Sequence, residues 1–261
     1  MSNDHVTLVR DGEIAELVLN RPEKQNAMNR AMWLAIAEHA RAAGKDPQVR
    51  VLILRGASPQ AFSAGADISE FKTVHGTPEA AKDYGEVVHG AYEAVSRLDK
   101  PTIAMIAGNC FGGGCALTLC CDFRYADATA RFSIPPANLG IAYSFAETKR
   151  LADLVGPSKA KEMLFAARVV GAEEALRIGL IDQLFPAGEA PAGAKAFAAI
   201  LVEKSQFTIK AVKAYMRAIT SGADADTPDT VHIGRQAYSN EDYREGVRAF
   251  MEKRKPKFTY R

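Results

Sequence analysis

Two stretches of small residues carry the strongest chemical signal in the chain. Phe62-Ser63-Ala64-Gly65-Ala66-Asp67-Ile68 and Gly112-Gly113-Gly114 leave the backbone bare where strand-like runs give way to helix-like ones. Amides at the start of a helix lack intrahelical acceptors and lie at its positive end. Such donors stabilise an oxyanion, and losing one costs about 3 to 4 kcal/mol of transition-state stabilisation. If the amides of Ala66 and Gly113 converge, they form a two-donor hole for an ester or thioester oxygen as it gains charge. Each stretch taken alone is equally a tight turn or a packing contact, so convergence is the condition that the fold must meet.

Other chemistries fail on spelling. A phosphate-binding loop needs Gly-Lys followed by Ser or Thr, whereas Gly114 precedes Cys115. The glycines of Gly108-Asn109-Cys110-Phe111-Gly112 miss the dinucleotide fingerprint. Ala61-Phe62-Ser63-Ala64-Gly65 has the form of a serine nucleophile elbow except at Ala61, and it has no evident histidine partner. Cys110, Cys115, Cys120 and Cys121 contain no Cys-x-x-Cys pair, so they read as small buried thiols in a reducing compartment and not as a zinc site. His75 and His89 fall in polar helical sequence, where a histidine faces solvent.

The corners need elements to hold them. Residues 6–9 and 14–19 predict two strands joined at Asp11-Gly12. A helix follows over residues 29–43, with Asn29 as cap and Gly44 as stop. The apolar runs 49–54 and 102–107 predict strands covered on both faces, separated by a helical stretch over 78–98. The bare segment 112–114 then opens a helix over 115–121. Strands at 123–126 and 131–134 precede helices at 146–154, 159–166, 173–178, 194–203, 208–221 and 241–253, with a surface loop at 187–193. The basic tail Lys253-Arg254-Lys255-Pro256-Lys257 is a solvated face or a phosphate contact.

Composition narrows the partners. The 261 residues include 33 Lys+Arg against 31 Asp+Glu, a net charge of +2, which gives neither disorder nor the basic field of a nucleic-acid binder. No apolar run is long enough to span a membrane, and the first five residues lack the features of a signal peptide. The expectation is a cytoplasmic protein that uses no nucleic acid, membrane or metal.

The motifs Leu19-Asn20-Arg21-Pro22-Glu23-Lys24-Gln25-Asn26-Ala27-Met28-Asn29, Ala61 to Ile68, and Gly108-Asn109-Cys110-Phe111-Gly112-Gly113-Gly114-Cys115 with Cys121-Asp122 together resemble the enoyl-CoA hydratase/isomerase (crotonase) family. The resemblance spans essentially the whole chain, including Glu241-Asp242-Tyr243-Arg244-Glu245-Gly246. It implies an α/β fold, a crotonase spiral of repeated β-β-α units over residues 1–190, and a helical C-terminal trimerisation region over 191–261. A homotrimer or a dimer of trimers follows from the same likeness. The implied substrate is an acyl-CoA thioester, with coenzyme A part of the substrate and no separate cofactor. Ala66 and Gly113 match the family's thioester-binding amides. Ala64, Asp67 and Ile68 match positions lining the CoA, Lys24 and Ala27 fall in the segment near its nucleotide part, and Lys253 matches a basic position that reaches its phosphates from the same or a neighbouring subunit.

The departures from the family pattern are as informative. The family's hydratases carry one glutamate directly after Gly-Gly-Gly-Cys and a second in a Phe-x-x-Pro-Glu segment; here the residues are Ala116 and Pro136. Neither side chain accepts a proton, and a general acid or base contributes about a hundredfold to ten-thousandfold in rate. The replacement loop, Ile134-Pro135-Pro136-Ala137-Asn138-Leu139-Gly140-Ile141-Ala142-Tyr143-Ser144, resembles that of the family's methylmalonyl-CoA decarboxylases, with a tyrosine at Tyr143. Those enzymes have a histidine where this chain has Ala66, which is the hydratase spelling.

Decarboxylation of a short malonyl-type CoA ester is therefore the first expectation, with Tyr143 orienting the carboxylate or helping to protonate the enolate. Tyr143 as a packed aromatic with a bonded hydroxyl is the alternative. Hydration or isomerisation through a relocated group such as Glu147, one helical turn beyond Tyr143, is the second expectation. On spacing alone Glu147 reads more readily as a solvated residue paired with Arg150. A non-catalytic acyl-CoA-binding oligomer is the reading from another class.

Overall fold

The computed structural model describes residues 5–260. Residues 1–4, read above for a leader, and Arg261 lie outside the described residues. β1 (Val6–Asp11) and β2 (Ile14–Leu19) form the expected hairpin, antiparallel from Val6↔Leu19 to Asp11↔Ile14, with Gly12 at φ +61° supplying the turn. β2 then starts a parallel succession through β3 (Val51–Gly56), β5 (Thr102–Ile106), β7 (Phe123–Asp127) and β10 (Gln183–Phe185), giving a six-stranded sheet in the order β1-β2-β3-β5-β7-β10. Four short strands, β4 (Ala61–Ser63), β6 (Asn109–Phe111), β8 (Arg131–Ser133) and β9 (Val170–Gly171), make a second sheet in the order β4-β6-β8-β9.

The two orders together describe a spiral. Each of three turns runs from a long strand to a short one and on into helix: β3-β4 to α2 (Phe71–Val74) and α3 (Pro78–Ser96), β5-β6 to α4 (Gly113–Leu119), and β7-β8 to α5 (Pro136–Leu139) and α6 (Phe145–Ala166). β9 and α7 (Ala172–Arg177) lead back to β10. This is the β-β-α repeat that the resemblance implied.

α1 (Arg30–Lys45) forms because Met32, Trp33, Ile36, Ala40 and Ala43 make one apolar stripe, all buried, while the Asn29 side chain accepts from the Met32 amide at the N-terminus. The helix runs through Gly44 to Lys45 and does not stop there. Gly44 serves packing instead: a Cβ on it would stand 2.8 Å from Leu98 Cδ2. α1 and α3 cover one side of the main sheet with a core that includes Leu17, Leu52, Leu54 and Ala104.

The other face is closed by α8 (Ala190–Val202), whose Ala194 and Ala198 pack with Val51, Ile53 and Ile103. Phe197 stacks on Tyr125 at 5.3 Å and meets Phe123 edge-on at 4.9 Å. Two expectations change here. The loop foreseen at 187–193 gives way at Ala190, because Pro191 fits the first turn of a helix where its missing N–H costs nothing. The boundary at 190/191 falls at the start of α8, which belongs to the sheet's packing. The more peripheral helices are α9 (Gln206–Thr220), α10 (Pro228–Ala237) and α11 (Glu241–Met251). No described helix is long and apolar enough to cross a membrane.

Candidate active site

The two bare corners meet. A Cβ built on Gly65, at φ +98°, would lie 2.9 Å from the Phe111 carbonyl oxygen, 3.2 Å from the Gly113 nitrogen and 3.5 Å from Gly112 Cα. A Cβ on Gly114 would lie 2.7 Å from Ser63 Cβ. Gly112 holds φ +49° and donates to Ser133 O at 2.8 Å, which ties its corner to the next turn of the spiral. The approach and the dihedrals require glycine at 65 and 112. Parallel pairing of β4 with β6 sets the corners side by side.

Both amides are open. Met28 pairs with Ala66 in an isolated parallel bridge: Met28 N donates to Gly65 O at 2.7 Å and Asp67 N donates to Met28 O at 2.9 Å. In that pattern the middle residue's own N–H points away from its partner. Among the described residues neither Ala66 N nor Gly113 N donates to a protein acceptor. Gly113 is the first residue of α4, so its amide is one of the helix's orphan donors. Two adjacent unpaired N–H groups can donate to an anionic oxygen between them.

Behind Gly113 stand residues that the sequence did not single out. The Tyr92 hydroxyl donates to Gly113 O at 3.2 Å, Trp33 meets Tyr92 edge-on at 5.4 Å, and Trp33 Nε1 donates to Tyr84 Oη at 3.2 Å. Burial holds the Tyr92 hydroxyl proton well beyond the usual phenol range, so it acts as a fixed donor. Asn26 is a second missed position. Fully buried, it accepts from Arg21 N at 2.8 Å through Oδ1 and donates through Nδ2 to Ala61 O at 2.9 Å and Phe62 O at 3.1 Å. The Arg21 and Asn26 letters belonged to the motif, but their contacts are tertiary.

The expected CoA-lining residues form a rim along the same corner. Ala64 N donates to Gln25 O and Ala27 N to Lys24 O, both at 2.9 Å. Lys24 is exposed on a 3-10 turn over Pro22–Lys24, and Ile68 is 58% exposed, free to meet a ligand. Asp67 presents no free carboxylate to that rim: Oδ1 accepts from Ser69 N and Oγ, and Oδ2 accepts from Arg21. Lys253 is exposed, but its tail is anchored by Arg50 Nη2 donating to Phe258 O, at the start of β3 and not at its corner-bearing end. The chain does not bring Lys253 together with Ala66 and Gly113.

Tyr143 and Glu147 do share the interior beside α4. Tyr143 precedes the Ser144 cap of α6 and so lies outside the helix; Glu147 is in the helix's first turn. The Tyr143 hydroxyl is buried with no hydrogen-bond partner, and burial drives its proton affinity far upward, with Tyr92, Cys115 and Glu147 close by. It is a packed aromatic whose hydroxyl, against expectation, is not bonded.

Glu147 departs from the solvated reading. It is 5% exposed, its amide donates to Ser144 Oγ at 3.3 Å, and Arg150 approaches its carboxylate only at 3.5 Å because that guanidinium is held by Glu93 at 2.9 Å. Burial raises the pKa of the carboxyl, opposed by Arg150. Ala116 is fully buried in α4, and Pro136 is buried at the start of α5. His75 and His89 are exposed as foreseen, and no described group of three or more His, Cys, Asp or Glu could hold a metal. All four cysteines are free and buried, and burial pushes the Cys120 thiol up to about 12.

The family model for enoyl-CoA hydratase/isomerase matches residues 10–261. A crotonyl-CoA hydratase of Syntrophomonas wolfei is 35% identical over 262 residues, covering 99% of each chain. A short-chain-enoyl-CoA hydratase of Clostridium acetobutylicum is 36% identical, covering 98% of this chain and 97% of that one. The crystal structure of an enoyl-CoA hydratase/isomerase family protein from Hyphomonas neptunium superposes with a TM-score of 0.96 at 39% identity, over 98% of both chains. The sequence, the spiral and these likenesses agree: the chain belongs to the enoyl-CoA hydratase/isomerase (crotonase) family of acyl-CoA enzymes.

Proposed function

We propose that the enzyme decarboxylates a short malonyl-type CoA ester. The observation that carries this reading is the pair Ala116 and Pro136, both buried and aprotic where the family's hydratases have their glutamates. Loss of CO2 needs no base to begin. The electrons of the breaking carbon–carbon bond move into the thioester, giving an enolate whose oxygen the Ala66 and Gly113 amides stabilise. Apolar surroundings disfavour the substrate carboxylate relative to neutral CO2. The enolate carbon then takes a proton from Glu147, whose burial keeps it protonated to higher pH than an exposed glutamate. The Tyr143 hydroxyl, lacking a protein partner, is available to orient the departing carboxylate.

A second reading is favoured by the burial of Glu147 and by the names of the hydratase relatives. In it, ionised Glu147 acts as the base for hydration or isomerisation of an enoyl-CoA. The two readings need opposite protonation states of one residue. Malonyl-, methylmalonyl-, crotonyl- and 3-enoyl-CoA, each followed by mass spectrometry across pH, separate them. Decarboxylation removes the mass of CO2 and slows as pH rises through the raised Glu147 pKa. Crotonyl-CoA turnover that grows with pH and is lost in Glu147→Gln would instead establish the second reading. Binding of all four thioesters without turnover would establish a non-catalytic acyl-CoA-binding oligomer.

We further place the enzyme in the cytoplasm as a homotrimer or dimer of trimers, supported by its buried free thiols and by the exposed Tyr238, Phe250 and Met251 on the peripheral helices.

A further inference from the structure

We infer that Arg21 and Asp67 form a cross-brace that aims the Ala66 amide at the thioester oxygen, making Arg21 a positioning residue of the oxyanion hole. This rests on the enolate chemistry proposed above and is independent of which reaction follows the enolate.

The direction of the Ala66 N–H is set by the peptide planes on either side of it. Those planes are fixed by two hydrogen bonds with Met28: Gly65 O accepts from Met28 N, and Asp67 N donates to Met28 O. Two bonds alone leave the bridge free to shear along the strand direction. Arg21 Nη1 closes the figure by donating to Ala27 O at 3.1 Å, the carbonyl before Met28, and to Asp67 Oδ2 at 2.6 Å, the residue after Ala66. One guanidinium nitrogen therefore ties together both chains of the bridge.

The far carboxylate oxygen accepts from Ser69 N at 3.0 Å and Ser69 Oγ at 2.6 Å, so Asp67 cannot rotate away. The Arg21 side chain is 15% exposed and that of Asp67 8%, which limits screening by salt. The bonds from Ser69, then that from Arg21, hold the Asp67 carboxyl at a pKa of about 2, so the brace stays charged throughout the working pH range. The Arg21 backbone is itself held by Asn26, whose side chain reaches β4. Neither Arg21 nor Asp67 has to touch the thioester for this role.

Acetoacetyl-CoA tests the brace, because it enolises by releasing its C2 proton to buffer and the enolate absorbs in the near ultraviolet. Coenzyme A itself, which has no thioester oxygen, serves as the contrasting ligand. In Arg21→Gln the affinity for coenzyme A should stay within about twofold of wild type, while affinity for acetoacetyl-CoA and the enolate band fall about tenfold or more; in Asp67→Asn, a residue of the CoA rim, the readout is the enolate band per bound acetoacetyl-CoA, which should fall likewise. Arg21→Lys, which keeps the charge with one bond fewer, should lie between.

Parallel losses for both ligands, an unchanged enolate band in the variants, or failure of both Arg21→Gln and Asp67→Asn to fold would overturn the positioning role in favour of a structural one. Absence of the band in wild type would overturn the enolate-stabilising hole itself, and the brace with it.

Discussion

Gly65 faces Gly113 so closely that a methyl group on Gly65 would stand 3.2 Å from the Gly113 nitrogen. The relationship welds the two donor-bearing corners, which are about fifty residues apart in sequence, into one unit. Gly65→Ala would suffer twice, from the left-handed φ of +98° and from contact with backbone atoms that cannot swing aside. The expected cost is about 1 to 3 kcal/mol of stability, with a larger loss of turnover. Thermal melting beside steady-state kinetics checks both.

Tyr143→Phe should separate stability from activity. The hydroxyl is buried without a partner, so removing it relieves a desolvation cost, and the variant should be as stable as wild type or more stable by about 1 kcal/mol. Under the proposed decarboxylation its rate should nevertheless fall by about tenfold or more. A variant that is less stable and fully active would mean that the hydroxyl is satisfied in solution and idle in catalysis.

Glu147 predicts a stability profile with a definite sign. Its folded pKa is raised from 4.5 by burial, so between 4.5 and the raised value the folded chain holds more proton than the unfolded chain. Stability contributed by this group therefore falls as pH rises through that window. Glu147→Gln removes the dependence. The melting temperature of the variant relative to wild type should climb as pH rises from 4.5 through the raised value; a constant difference would show that the carboxyl titrates normally.

Asn26 concentrates three hydrogen bonds in a fully buried side chain at φ +56°, a conformation asparagine tolerates better than most residues. Asn26→Ala should cost about 3 kcal/mol or more, through unsatisfied carbonyls and a lost backbone anchor. Denaturant unfolding would measure it. A change below about 1 kcal/mol would mean that water replaces the side chain.

The parts of the molecule legible in sequence were those with a local physical signature. β2 and β3 show as apolar β-branched runs, α1 as a periodic stripe with an asparagine cap, and the corners as glycines where a side chain has no room. The strands β4, β6 and β10 were not legible, because their pairing comes from neighbours far along the chain, whereas β8, equally short, showed in the alternation of Arg131, Phe132, Ser133 and Ile134. Glu147 looked solvated because its burial depends on α6 packing beside α4, and because its natural partner Arg150 is captured by Glu93 from α3. Arg21 and Asp67 lie 46 positions apart, and nothing local in either announces the other. What sequence pattern conveys is conformation; what it leaves out is which charge meets which.

The parallel pairing of β4 with β6 has a consequence for how such an enzyme diversifies. The Ala66 and Gly113 amides lie just past these paired strands, so the nearness of their corners is set by backbone pairing and not by side-chain choice. That spacing is written in peptide geometry, and it is reached only by replacements that strain the corner itself, as at Gly65, or release its brace, as at Arg21. Under the proposed enolate chemistry, new reactions are then reached by changing the side chains around the bound oxygen while the backbone corners stay as they are.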